Sequence, residues 1–216
     1  YVRRDSRMLA TMFVKCGLGV MGTNWVILPL LGERVFPVHL TGLHASSGGM
    51  LGMSLLMGSR GIGSLLGPLI GSLWAGYEAS RLRLGILYGF MIAALGYFAL
   101  GLAPTLALAC AAVVLAHAGG STIWVFSTTL LQAQTEDRFR GRVFSAEFAF
   151  SMLSMSTVSY LSGVLIDLGV SVRTVALGTG AVVLLPFLAW GLALRLWRAG
   201  SGSATQPDSE IRRARR

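Results

Sequence analysis

The stretch "MSLLMGSRGIGSLLGPLIGSLW", residues 53–74, is apolar and glycine-rich throughout, yet Arg60 sits near its middle. A run of roughly 20 apolar residues is what a helix needs to cross a bilayer. Arg60 then lies about 16 Å in from the outer end at 1.5 Å per residue, close to the bilayer midplane. A charged side chain at that depth costs about 2.5–3.5 kcal/mol on insertion scales. Arg60 must therefore face protein or water rather than lipid. Gly63, Gly67 and Gly71 follow it at helical spacing and form a small-xxx-small ladder, the pattern of a close helix–helix contact. The arginine and the ladder share a face, so Arg60 is expected to point into a bundle or into a cavity within it.

The rest of the 216-residue chain agrees with a membrane assignment. It is 54% hydrophobic and only 12% charged, with a mean hydropathy of +0.67, where soluble domains carry about 25% charged residues. Cys16 and Cys110 lie inside apolar runs and read as small buried hydrophobes, not as a disulfide or metal pair. The first apolar run is too long for a cleavable signal peptide and has no small-residue cleavage site behind it. The chain opens on Tyr1 rather than Met, which leaves open whether it is a complete gene product.

Six helices are expected, over about 8–31, 49–74, 84–102, 106–131, 143–167 and 174–197. They make one transmembrane domain over 1–198, followed by a polar Ser- and Arg-rich tail over 199–216 that is expected to be disordered. Breaker chemistry marks the short connections "YEASRLR" at 77, "AP" at 103 and "GVSVR" at 169. Fourteen of the 18 Lys and Arg residues fall at one side of these spans: Arg3, Arg4, Arg7, Arg81, Arg83, Arg138, Arg140, Arg142, Arg195, Arg198, Arg212, Arg213, Arg215 and Arg216. Only Arg34 and Arg173 fall at the other side, while Lys15 and Arg60 lie within spans. The positive-inside rule then puts both termini in the cytoplasm and reads the +9 charge as a topology signal, not as a nucleic-acid footprint. Trp25, Trp74, Trp190 and Trp197 lie toward span ends, as interfacial anchors do.

Other polar groups occupy the spans. His117 lies near the depth of Arg60 and begins a helical stripe of His117, Ser121, Trp124, Thr128 and Gln132. It reads either as a satisfied core histidine or as part of a polar pathway. Glu147 begins a second stripe with Ser151 and Ser154, and Lys15 lies at a comparable depth in the first span. Lys15 can snorkel to the interface or pair with Glu147. Asn24 lies deeper, but nine residues is half a turn out of phase in a straight α-helix, so the two are not expected to face one cavity. Asp167 reads as a solvated helix terminus. No metal-ligand cluster, phosphate loop or paired carboxylates are legible, so neither an enzyme, a cofactor nor a metal is expected. Ser64 and His117 could be stretched into an intramembrane protease pair, without any signature to support it.

The segment "TLLQAQTEDRFRGRVFSAE", residues 129–147, resembles the cytoplasmic loop between the tenth and eleventh helices of major facilitator superfamily transporters. The family's R-G-R-V is matched by Arg140, Gly141, Arg142 and Val143, and Glu136 stands where the family usually has proline. "GSRGIGSLLGPLIGSLWAG" is similar to the glycine-rich eighth helix of the same group, notably its bacterial twelve-helix efflux branch, with Ala75 at the usual aspartate position. The resemblance covers nearly the whole chain and corresponds to the C-terminal six helices of such a transporter. It implies two inverted three-helix repeats and a substrate site near the midplane between two six-helix halves. It also implies neighbouring second and fourth spans, which would bring Arg60 and His117 together, and neighbouring first and fifth spans, which favours the Lys15–Glu147 pairing.

The expectation is half of a secondary transporter, exporting small amphipathic or anionic molecules by alternating access with a proton gradient. Arg60, His117, Asn24 and Ser121 would form the substrate or proton pathway. Arg138, Arg140, Gly141 and Arg142 would form a cytoplasmic gating loop. The partners are a small-molecule substrate, protons, the bilayer of a bacterial inner membrane and an N-terminal six-helix half. The rival reading is a self-contained six-span homo-oligomeric channel or membrane assembly factor.

Overall fold

The computed structural model describes residues 2, 5–38 and 45–203. There is no strand among the described residues, and six helices are long and apolar enough to cross a bilayer. They are α1 (Ser6–Val35), α2 (Ala45–Ala75), α3 (Ala79–Leu102), α4 (Leu106–Gln134), α5 (Asp137–Asp167) and α6 (Val172–Ser203). The fold is all-α, as its apolar spans require: in lipid, only a helix or a closed barrel satisfies every backbone donor and acceptor.

Several helices extend past their apolar spans, because charged end turns lower hydropathy without disfavouring helix. α3 begins at Ala79 and includes Arg81 and Arg83. α5 begins at Asp137, so Arg138, Arg140, Gly141 and Arg142 occupy its first turns and not the expected loop, and only Thr135 and Glu136 separate α4 from α5. Asp137 suits the positive end of the helix dipole, and it pairs with Arg140 Nη2 at 2.6 Å, three residues along the same helix. α6 continues to Ser203, past the expected start of the tail at 199, while 204–216 lie outside the described residues. Where α2 and α5 stop, Gly76 (φ +54°) and Gly169 (φ +91°) take the positive φ that a side chain disfavours. At the end of α3, Arg173 Nη1 donates to the carbonyls of Ala103 (2.6 Å) and Gly101 (3.3 Å), a cation at a helix C-terminus.

The packed heart of the bundle lies among α3, α4 and α6, where Phe90, Tyr97, Ile123 and Phe126 are almost wholly enclosed. The ladder on α2 lies against α4: Gly63 meets the Val114 carbonyl, Gly67 the Ala118 carbonyl, and Gly71 the Phe126 ring. At the first two, an added Cβ would enter backbone atoms, so glycine is what lets the helices approach. α1 packs on α5 through serines: Ser154 Oγ donates to the Cys16 carbonyl at 2.8 Å, Ser159 Oγ to the Gly22 carbonyl at 2.7 Å, and Ser162 Oγ to Thr23 Oγ1 at 3.1 Å.

α1 is not a uniform helix. Gly19–Thr23 winds as 3₁₀, with α-helix on both sides and a π turn over Leu31–Val35. A 3₁₀ turn advances 120° per residue against 100° in an α-helix, so five residues rotate the distal part by roughly 100°. Lys15 and Asn24 are therefore both buried, on differently directed faces. The two do not share a cavity, as expected, although the helix between them is not straight. Trp190 is also not an interfacial anchor: it is 4% exposed, and its Nε1 donates to the Arg83 carbonyl at 2.9 Å.

Burial is uneven. In their most apolar stretches only 17% of α2 and 11% of α5 is buried, against 61% of α1, 56% of α3 and 50% of α4. α2 and α5 are thus the flanks of an open side.

Candidate functional site

Between α1, α2, α4 and α5 lies a cavity of about 420 Å³. Arg60, His117, Asn24 and Ser121 all line it, together with Ser64, Pro68, Trp124 and the methionines Met21, Met152 and Met155. Two features of the chain bring these together. The glycine ladder draws α2 onto α4, which sets Arg60 and His117 on the walls of one space. The 3₁₀ stretch of α1 turns Asn24 toward the same space.

Arg60 stacks on Trp25, its guanidinium carbon 4.0 Å from the ring centroid. Such a contact holds a cation against an aromatic face without cancelling its charge. Among the described residues Arg60 has no carboxylate partner, and no carboxylate lines the cavity. Trp25, expected as a membrane anchor, thus positions the charge in the cavity; sequence reasoning missed this because an aromatic at a span end looks the same in either role.

His117 is buried, with Nδ1 3.1 Å from the Val113 carbonyl oxygen one turn earlier. That oxygen only accepts, so Nδ1 carries the hydrogen and donates. Nε2 is buried without a partner. In the neutral ring Nε2 is an acceptor, and on protonation it becomes a donor, so this atom is the one free to exchange a proton. Asn24 donates through Nδ2 to the Met21 carbonyl and leaves Oδ1 buried and unpartnered. Ser121 Oγ donates to the His117 carbonyl at 2.7 Å, so it offers the cavity only an acceptor. Pro68 has no N–H, which leaves the Ser64 carbonyl without its helical donor. Together these groups give one permanent cation, one ionisable nitrogen and several acceptors against an apolar, methionine-rich wall. Polarizable, unbranched methionines adapt to varied shapes.

The Lys15–Glu147 pair lies outside this cavity. Lys15 Nζ is 2.9 Å from Glu147 Oε2, with side chains 4% and 2% exposed, and 4.2 Å from the centroid of the Trp124 ring. Glu147 Oε1 and Ser151 Oγ are buried without partners. Trp124 therefore touches both regions, one face on Lys15 and an edge of the cavity. Near the start of α5, Arg138 Nε pairs with Glu136 at 2.8 Å in an exposed contact, Arg142 is exposed, and Gly141 has open space where a Cβ would be. None of the four makes an ion pair to another helix among the described residues.

No family model, curated protein or solved structure matches the chain.

Proposed function

We propose that the chain is the C-terminal six-helix half of a major-facilitator-type secondary transporter, moving small amphipathic anions by alternating access. The single observation that carries this reading is the cavity between α1, α2, α4 and α5, with a guanidinium that no carboxylate among the described residues neutralises and a buried imidazole whose Nε2 is free. A fixed charge deep in a span is costly unless it serves a solute or ion path. The contact pattern supports two inverted three-helix repeats: exchanging α1 with α4 and α2 with α5 turns the α1–α5 contact into the α4–α2 contact. The sparse burial of α2 and α5 supports a second six-helix half facing the open side of the cavity. The charge partition supports cytoplasmic termini, and a bacterial inner membrane rests on the resemblance alone.

Coupling follows from the charges. An anion seated by Arg60 and a proton on His117 Nε2 favour one another by Coulomb attraction. Solute arrival would then draw in a proton, and departure of one would promote release of the other. Proton coupling rests on the resemblance together with this charge logic, and the direction of transport rests on the resemblance alone.

Titration of purified protein with naphthalene-2-sulfonate, read by tryptophan fluorescence, tests the site, since Trp124 lines it and Trp25 stacks on Arg60. The aryl sulfonate should bind, the matching aryl ammonium should not, and Arg60→Gln should weaken binding by on the order of tenfold. Equal binding of the cation, or no effect of Arg60→Gln, refutes the reading.

A further inference from the structure

At the end of the bundle where α1 and α3 begin and α6 ends, two hollows adjoin. One, of about 320 Å³, is lined by Arg7, Arg83, Arg198 and Trp197. The other, of about 470 Å³, runs along α3 and α6 past Leu87, Phe187 and Gly191 and carries Arg195 and Arg198 at one end. Leu84, Leu194 and Arg198 line both.

The polar hollow is built rather than incidental. Trp197 packs edge-to-face on the buried Trp190 with centroids 5.6 Å apart, and Trp190 is itself tied to the backbone of Arg83. The guanidinium carbons of Arg7 and Arg83 lie 6.0 and 5.7 Å from the Trp197 centroid, so one ring holds two like charges beside a single opening. Asp5 is the acid that acts on Arg83, but its carboxylate is committed to capping α1, accepting from Arg7 N at 2.8 Å and Met8 N at 3.4 Å. Among the described residues Arg7, Arg83, Arg195 and Arg198 make no ion pair. Clustered guanidiniums that no acid pairs directly call for an anion with several acceptor oxygens.

The second hollow says what is attached to that anion. Apart from the arginines at one end its lining is apolar and includes the exposed Leu188 and Leu192, which fits an acyl chain. We propose that the two hollows form one site for an anionic phospholipid, with the phosphate among Arg7, Arg83 and Arg198 and one chain in the groove between α3 and α6. Among the described residues no acid lines either hollow to receive a choline or ethanolamine ammonium, so the site selects an anionic headgroup over a zwitterionic one. Basic pockets between helices at a membrane surface recognise lipids in this way.

The test is binding of dioctanoyl phosphatidylglycerol to the protein in a non-ionic detergent, with dioctanoyl phosphatidylcholine and glycerol 3-phosphate as separate arms. The phosphatidylglycerol should bind severalfold more tightly than the phosphatidylcholine. Arg83→Gln with Arg198→Gln should weaken it by on the order of twentyfold. The corresponding lysine variants should restore most of the loss, and Arg34→Gln, at the other end of the bundle, should change nothing. Gly191→Leu fills the apolar groove and should weaken lipid binding, while glycerol 3-phosphate binds poorly throughout. All variants should elute as the parent does, and thermal unfolding in detergent identifies any that do not fold. Equal affinity for the two lipids, an unchanged arginine double variant, or glycerol 3-phosphate binding as tightly as the lipid would each overturn the proposal.

Discussion

Replacing Lys15 with methionine keeps the side-chain volume but leaves Glu147 without its cation inside the bundle. The pair is 2.9 Å apart with both side chains no more than 4% exposed. At an effective dielectric constant of 20, two unit charges near that separation attract by about 5 kcal/mol before desolvation is subtracted. Much of that is offset in the intact pair, but removing one partner leaves the desolvation of the other charge uncompensated. Breaking a buried pair costs about 3–5 kcal/mol, whereas replacing both partners by apolar side chains is often neutral or stabilising. The stack of Lys15 on Trp124 adds up to about 2 kcal/mol to the loss on the lysine side. Glu147→Met should therefore lower stability by about 3–5 kcal/mol and Lys15→Met by up to about 2 kcal/mol more, while the double variant should lie within about 1–2 kcal/mol of the parent. Denaturant unfolding in bicelles, followed by tryptophan fluorescence, reads all four corners of the cycle. A Lys15→Met loss below about 1 kcal/mol, or additive losses in the double variant, would refute the argument that this is a dry, mutually dependent pair.

Gly67→Val should collapse the α2–α4 contact and lower stability by about 3 kcal/mol or more, because its Cβ would enter the Ala118 backbone. Gly61→Ala, where nothing lies within 4 Å, should be neutral or stabilise by up to about 1 kcal/mol in the same denaturant unfolding. Reporter fusions after Arg198 and within 37–45 should report opposite sides of the membrane; the same side for both would remove the six-span topology. Arg140→Ala should leave stability within about 0.5 kcal/mol, since its pair with Asp137 is a partly exposed contact within one helix. Solute transport by the full-length protein should nevertheless fall while solute binding is retained; normal transport would return Arg140 to a topology signal.

The number and order of the spans were legible, because each is an apolar run long enough to cross a bilayer, and so was the face shared by Arg60 and the glycines. The ends of α3 and α5 were not, since "ASRLR" and "DRFRGR" depress hydropathy while remaining good helix. The winding of α1 was hidden for a different reason. "GVMGT" carries glycines that permit close approach, but the partners that take up carbonyls along this stretch lie far along the chain, Ser154 and Ser159 on α5 and Tyr97 on α3. Arg60, His117, Asn24 and Ser121 could be named from sequence by depth and polarity. Trp25 and the three methionines could not, because an apolar side chain facing lipid and one facing a cavity have the same signature.

The central claim is that Arg60 and His117 form one anion- and proton-responsive site in a transporter. It is tested most directly by flux of naphthalene-2-sulfonate, which stays charged and does not leak as a neutral acid, in vesicles carrying the full-length protein. Parent, Arg60→Gln and His117→Gln should be compared at matched abundance between about pH 5 and pH 8, the range over which an imidazole ordinarily titrates. The account predicts that Arg60→Gln reduces flux by on the order of tenfold at every pH, and that His117→Gln transports with a flattened pH profile. Both variants present at normal levels, with unchanged rate and unchanged pH dependence, would contradict it.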